Sequence, residues 1–232
     1  MIYSNRIVSR KKFNVFEAVT MFLLVVYGLA VLALILWGFS ASFRTYASIM
    51  QKPWGVFSDL GFENYVGVFN DFKTLKEYDG GFKTVFFEEM FFNSLLYAGG
   101  GAVLQTLCTA AVAYCTAKYD NKCSKAIHYI VIVTLALPIV GNLASMITVT
   151  KTLGLFDNIV GSWIMKFGFN NIYYMIFYAF FKKISWEYAE SAFLDGGGHY
   201  TVFFRIMMPL SVPIIATIFL LNFIQYWNDF ET

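Results

Sequence analysis

Formal charge is scarce in this 232-residue chain: 14% of its residues are charged, against 58% hydrophobic and 20% aromatic, with a mean hydropathy of +0.59. Soluble domains carry about 25% charged residues and about 45–50% apolar ones, so too little charge is present here to coat a water-facing surface. A membrane protein is the class that remains. The net charge of +2 leaves no basic surplus of the size a phosphate backbone demands, which excludes nucleic acid as a partner and leaves protein and membrane lipid. Cysteine is sparse too. Cys108, Cys115 and Cys123 lie in or beside apolar segments, without the paired spacing or neighbouring histidines of a zinc site, so no disulfide or metal is expected. The sequence has no GxxxxGK[ST] phosphate loop; Gly99-Gly100-Gly101 sits inside an apolar run with no lysine after it, where glycines serve close helix packing. No cofactor is expected on this chain.

What the sequence has in abundance is long uncharged runs. A bilayer core about 30 Å thick takes about 20 helical residues, and four stretches exceed that: Ala18 to Phe43, Met90 to Ala117, Ala126 to Thr150 and Ile206 to Asn228. A fifth, Phe167 to Phe181, is shorter and must extend past Lys166 or Lys182, or be shielded by neighbours. Between them, Leu153 to Met165 has the mixed character of an interfacial or re-entrant piece. The expected fold is therefore an all-α polytopic membrane protein with five visible transmembrane helices. The first run follows Arg6, Arg10, Lys11 and Lys12 and is nearly twice the length of a signal h-region of about 7–15 residues, so it reads as an uncleaved span.

Residues 1–17 then form a cytoplasmic N-terminus, 18–43 the first span, 44–89 an extracytoplasmic cap and 90–232 the core. Lys118, Lys122, Lys125, Lys182, Lys183 and Arg205 fall inside on this threading, as the positive-inside rule expects. In the cap, Trp54, Phe57, Phe62 and Tyr65 lack a helical period and suit interfacial anchoring beside the first span, or contact with a ligand-delivering partner. Lys151, Asp157 and Lys166 fall near the outer interface, where lysines snorkel.

The most informative stretch, about 184–208, separates the fourth and fifth spans. From Ser185 to Leu194, the apolar residues Ala189, Ala192 and Phe193 recur at helical spacing with acids between them, and Ser185 can cap the start. Gly196 can stop the helix in a left-handed conformation, Tyr200 to Ile206 makes a second amphipathic stretch, and Pro209 suits the first turn of the next span. Periodicity alone leaves two readings: an amphipathic connector lying on the membrane, or a braced cytoplasmic helix that transmits displacement between a soluble partner and the bundle.

Glu190-Ser191-Ala192, Asp195-Gly196, Phe203, Ile206 and Pro209 resemble the EAAxxDG(A)xxxxxFxxIxLP signature of permease subunits in binding-protein-dependent ABC importers. The chain departs from that pattern at Ser191, at Gly197 in place of an alanine, where the turn is expected to be looser, and at Met208. With Asn93-Ser94-Leu95 and Trp227-Asn228-Asp229-Phe230, the resemblance is to the carbohydrate-uptake group of maltose and multiple-sugar permeases. That group has six spans, so the resemblance implies a sixth helix beyond Thr232 that this chain lacks.

The resemblance further implies a subunit of the bacterial cell membrane with no catalytic site. Its partners would be separate ABC ATPase subunits that use the ATP, a second permease subunit and an extracytoplasmic solute-binding protein. Glu187 to Asp195 would be the coupling helix, docked in an ATPase groove. Glu190 would pair with a basic group, Ala192 would offer a small packing surface, Asp195 and Gly196 would shape the turn, and Pro209 would set the angle of the next span. Candidates for the solute path are Gln105, Asn142, Asn222, Gln225, Trp227 and Asn228, since sugars are held by hydrogen-bonding side chains and aromatic stacking; a lone membrane amide more commonly bonds a neighbouring helix. Importers of amino acids or peptides share the loop. An ion-driven secondary transporter needs intramembrane ionisable groups that the centres of the clear spans lack, and a non-transporting scaffold gives no reason for the loop.

Overall fold

In the computed structural model, which describes residues 14–55, 59–78, 81–137 and 143–229, Asn14 opens α1 (Val15–Ser42) with its backbone amide donating to Glu17 Oε2 at 3.4 Å. The most apolar stretch of α1 is exposed throughout, as suits a helix that is apolar on every side. The described residues fall into two units that divide between Phe87 and Glu88. In the first, α1 is followed by two short helices, α2 (Tyr46–Gln51) and α3 (Glu63–Asp71). An antiparallel hairpin then pairs β1 (Lys73–Tyr78) with β2 (Gly81–Phe86), Lys73 opposite Phe86 and Tyr78 opposite Gly81.

Aromatic side chains tie this segment to the end of α1. Trp37 Nε1 donates to the Pro53 carbonyl at 2.8 Å and its ring meets Trp54, while Phe43 packs on Phe62 and Tyr65. Beneath them lies Arg44, 1% exposed, whose guanidinium donates to the carbonyls of Gly55, Ser48 and Lys52 at 2.7–2.9 Å. Removing a donor from buried carbonyls costs about 1–3 kcal/mol for each group left unmade. Arg44→Ala is therefore expected to loosen the segment, read as cleavage after Lys52 by trypsin at least tenfold faster than in the parent; equal cleavage rates would contradict the packing argument.

The second unit is built on α4 (Phe87–Lys118), whose buried stripe of Ala98, Ala102, Thr106, Thr109, Ala113 and Ala117 recurs at helical spacing. Small residues let neighbouring helices approach. Against this stripe pack Tyr174, Phe177 and Phe181 of α8 (Asn171–Lys183), and Ile218, Asn222 and Tyr226 of α12 (Val212–Trp227). The helix α5 (Lys122–Ala136) is joined to α8 by polar contacts: His128 Nδ1 lies 3.1 Å from the Tyr174 hydroxyl, which donates to Thr116 Oγ1 at 2.7 Å, and Asn171 donates to Thr134. Two shorter helices, α6 (Leu143–Thr152) and α7 (Ile159–Lys166), lie between α5 and α8.

The architecture is mostly helical, with two departures from the expected one. The hairpin breaks the all-α description. Among the described residues, moreover, two helices, α1 and α4, are long and apolar enough to cross a membrane, or three if a bent pair counts as one span, rather than five. The shortfall has local causes. Leu137 is extended (φ −92°, ψ 115°) because proline follows at 138 and excludes the helical region, so the Ala126 to Thr150 run ends as a helix at Ala136. α8 has 13 residues. The last run divides at Ser211, where the segment His199–Leu210 meets α12 at 76°. Arg6, Arg10, Lys11, Lys12, Phe57 and Asn142 lie outside the described residues.

Candidate functional site

After α8 the chain turns at Ile184, whose carbonyl accepts from Lys118 Nζ, and Ser185 Oγ accepts from the Glu187 amide at 3.3 Å. This starts α9 (Glu187–Leu194) where the expected capping serine stands. Helical periodicity then sorts the side chains. Ala189 is fully buried, and Ala192 and Phe193 pack on the same core; Glu187, Tyr188, Glu190, Ser191 and Leu194 are exposed, Leu194 at 89%. Ala192 thus spends its small surface on its own chain, and the outward face carries two carboxylates, two hydroxyl groups and an aliphatic side chain.

The end of α9 is a glycine stop of the kind the sequence demanded. Gly196 has φ +80°, its amide donates to the Phe193 carbonyl at 3.0 Å, and the Gly197 amide donates to the Ala192 carbonyl at 2.8 Å. These are the two bonds of a Schellman motif. Gly197 does not loosen the turn as expected; a Cβ there would stand 2.8 Å from the Ala192 oxygen, so its hydrogen makes the close approach possible. Asp195 is exposed beside this turn and caps the helix through its backbone, with its amide donating to Ser191 O at 3.1 Å.

The chain returns through α10 (His199–Thr201), a π-helical stretch Val202–Met207 and α11 (Met208–Leu210). Val202 and Met207 are fully buried, and Phe203 packs on the Tyr114 ring with centroids 4.9 Å apart. Tyr119 braces both sides: its ring meets Trp186 and His199, and its hydroxyl lies 2.8 Å from His199 Nδ1. An apolar groove of about 440 Å³ opens beside this brace, lined by Tyr114, Tyr119, Tyr200 and Phe204 among others. Ile206 is half-buried. Pro209 does not start the last span. It lies in α11, before the bend, and Pro213 occupies the first turn of α12. At the bend Ser211 is fully buried, and its hydroxyl donates to the Met207 carbonyl at 2.7 Å.

The candidate path residues separate into two groups. Gln105 and Asn222 meet on the α4–α12 seam: Gln105 Oε1 accepts from the Tyr226 hydroxyl at 2.6 Å, and Asn222, fully buried, donates to Thr106 Oγ1 at 2.9 Å. Gln225, Trp227 and Asn228 are exposed on α12, Asn228 donating to the Ile224 carbonyl.

The sequence reading missed Lys166 as part of this region. Instead of snorkelling, Lys166 Nζ pairs with Asp229 Oδ2 at 2.9 Å, with side-chain exposures of 10% and 15%, and lies over the Tyr226 ring. The two residues are 63 apart along the chain, and no local pattern links them.

Comparison with known proteins agrees with this architecture. The family described as binding-protein-dependent transport system inner membrane component matches residues 105–231. The diacetylchitobiose uptake system permease protein NgcG of Streptomyces coelicolor is 26% identical over 216 residues, covering 93% of this chain and 67% of NgcG. The arabinooligosaccharides transport system permease protein AraQ of Bacillus subtilis is 28% identical over 171 residues, covering 74% of this chain and 56% of AraQ. The chain therefore spans between about half and two thirds of the length of these curated relatives. Among solved structures, a bacterial ABC transporter involved in the import of the acidic polysaccharide alginate superposes with a TM-score of 0.75 at 26% identity, covering 92% of this chain and 71% of that one. With more than half of its residues matched, and with its helical core and loop built as described, the chain belongs to the family of binding-protein-dependent transport system inner membrane components.

Proposed function

We propose that this chain is a membrane-embedded permease subunit of an ATP-driven importer of oligosaccharides, coupled to separate ATPase subunits through α9. The observation that carries the coupling role is the division of that helix. One face is locked into the core by Ala189, and the other presents Glu187, Glu190 and Leu194 outward between two braced ends. A helix held this way moves with whatever binds it. Glu190 is the residue for a basic group on the ATPase, while Ser191, Asp195 and Gly196 set the outward contour and Ala192, Phe203, Ile206 and Pro209 transmit its displacement toward α12. The oligosaccharide class is supported by the uptake systems named for NgcG and AraQ, which carry saccharides of more than one unit.

In this reading the N-terminus and the α9 loop face the cytoplasm, a second permease completes the path, and a solute-binding protein delivers from outside. Gln225, Trp227 and Asn228, exposed on α12, are the path candidates. Gln105 and Asn222 act as interhelical bonds behind them. Five spans remain our count for the chain, with the broken segments α5–α6 and α7–α8 each crossing with the help of neighbours.

The reading is tested by uptake in cells that express the complete transporter, using radiolabelled diacetylchitobiose, raffinose and arabinotriose, with a dipeptide and an amino acid as controls. ATP-dependent uptake of a saccharide and of neither control is expected; dipeptide uptake would overturn the solute class. Glu190→Lys is expected to reduce ATPase co-purification at least fivefold at unchanged membrane abundance. Undiminished recovery would remove Glu190 from the interface.

A further inference from the structure

The buried ion pair at the far end of α12 has a place that neither the loop nor the path explains. Asp229 Oδ2 accepts from Lys166 Nζ at 2.9 Å and from the Tyr97 hydroxyl at 2.6 Å, so one oxygen gathers a donor from α7 and a donor from α4. The ammonium lies 4.4 Å from the Tyr226 ring centroid and 5.2 Å from that of Tyr97. Gly101 permits the approach: a Cβ there would stand 3.3 Å from the Tyr226 ring and 3.4 Å from Lys166 Cδ. The Tyr226 hydroxyl, occupied by Gln105, continues the seam down α4.

A buried pair of this kind is weak ground for stability, since two apolar side chains of the same volume often serve as well; its distinctive property is register. Apolar surfaces tolerate sliding. A shift of α12 by one residue is about 1.5 Å along the axis, enough to break both bonds at Asp229 and leave a charge uncompensated at low dielectric. The other end of α12 is the bend at Ser211, fed by the α9 loop. The helix is therefore driven at one end and pinned by charge at the other.

We propose that Tyr97, Lys166 and Asp229 are positioning residues for transport: they pin the distal end of α12, so that displacement arriving through Ser211 pivots the helix and the exposed Gln225 and Asn228 keep their alignment. The alignment of Gln225 and Asn228 rests on the path reading above; the pin itself does not. Asn222, fully buried one turn below Tyr226, reports whether the end of α12 has parted from α4, and Ile218, 1% exposed a further turn away, reports on the rest of the core.

The test uses the complete transporter in native membranes, with Cys108, Cys115 and Cys123 replaced by alanine and single cysteines introduced as Asn222→Cys or Ile218→Cys. N-ethylmaleimide is the probe. Asp229→Asn or Lys166→Met is expected to speed labelling of Asn222→Cys at least tenfold. The charge-reversed pair Lys166→Asp with Asp229→Lys should restore at least half of the protection, and Ile218→Cys should stay protected throughout. In the background with native Asn222, the single variants should raise the KM for whichever of diacetylchitobiose, raffinose and arabinotriose the parent accepts at least fivefold, at unchanged membrane abundance and with maximal uptake within twofold.

Labelling indifferent to the pair overturns the pin, as does Ile218→Cys becoming labelled together with Asn222→Cys, which would mark general loosening. An unchanged KM beside pair-dependent labelling overturns the positioning role. A parent that takes up none of the saccharides, while protection of Asn222→Cys follows the pair, overturns the solute reading and leaves the pin standing.

Discussion

Replacing Gly196 with valine should abolish uptake while membrane abundance stays within twofold of the parent. Gly196 adopts φ +80°, a region that a β-branched residue enters only at a cost of about 1–3 kcal/mol. The chain cannot relax by moving the next residue, because the Gly197 amide is bonded to the Ala192 carbonyl at 2.8 Å and its Cα already stands as near that oxygen as backbone allows. The remaining escape is to unwind the last turn of α9, which withdraws Ser191, Leu194 and Asp195 from the outward face while leaving the buried contacts of Ala189 in place. The spans themselves carry no part of this strain, so insertion survives. Asparagine tolerates the left-handed region, and Gly196→Asn is expected to keep at least half of the parent's uptake. Equal uptake by the valine variant and the parent, measured with the labelled saccharides in whole cells, would sink the argument.

The same loop shows what was legible in the sequence. Its start at Ser185, its inward residues Ala189 and Phe193 and its stop at Gly196 are all consequences of spacing within about ten residues, and the structure has each of them. Where the reading erred, the deciding partner was remote or a local rule was passed over. Lys166 looked like an interfacial lysine because nothing near it in sequence announces Asp229, which arrives only when α12 packs on α4. Gln105 and Asn222 looked like path amides for the same reason: their bonds to Tyr226 and Thr106 span more than 110 residues.

The local misses are different in kind. Proline at 138 ends the α5 helix, yet a search for uncharged runs passes through it, since proline carries no charge. The hairpin was announced by the Asp-Gly dipeptide at 79 and 80 between strand-forming residues. Both signals were present and outweighed by the demand for helices in a membrane chain.

Gly100→Ala is the second large effect expected, and it turns on a contact across the same distance in sequence. A Cβ at residue 100 would fall 2.2 Å from Trp163 Cε2 and 2.5 Å from Nε1, inside the indole ring, whereas Gly99 has nothing within 4 Å. The indole lies on the bare backbone of α4 and donates toward the carbonyls of Leu96 and Tyr97 at 3.2 and 3.3 Å. A methyl group must therefore lift the ring, and with it α7, whose last residue is Lys166 of the ion pair. Overpacking of about 1–3 kcal/mol and a lost hydrogen bond of about 1 kcal/mol together predict a loss of about 3 kcal/mol. For a chain of this size that lowers the midpoint of thermal unfolding in mild detergent by about 6–12 °C. Gly99→Ala, facing open space, is expected to leave the midpoint within about 2 °C, because alanine also favours a helix over glycine by about 1 kcal/mol. Because the clash is with one side chain, Trp163→Leu should cost stability in the parent and recover part of it in the Gly100→Ala background, a coupling of at least about 1 kcal/mol in the double-mutant cycle. Additive losses would mean that the ring already has room to move, and the close approach of α7 to α4 would then have to be explained by Lys166 and Asp229 alone.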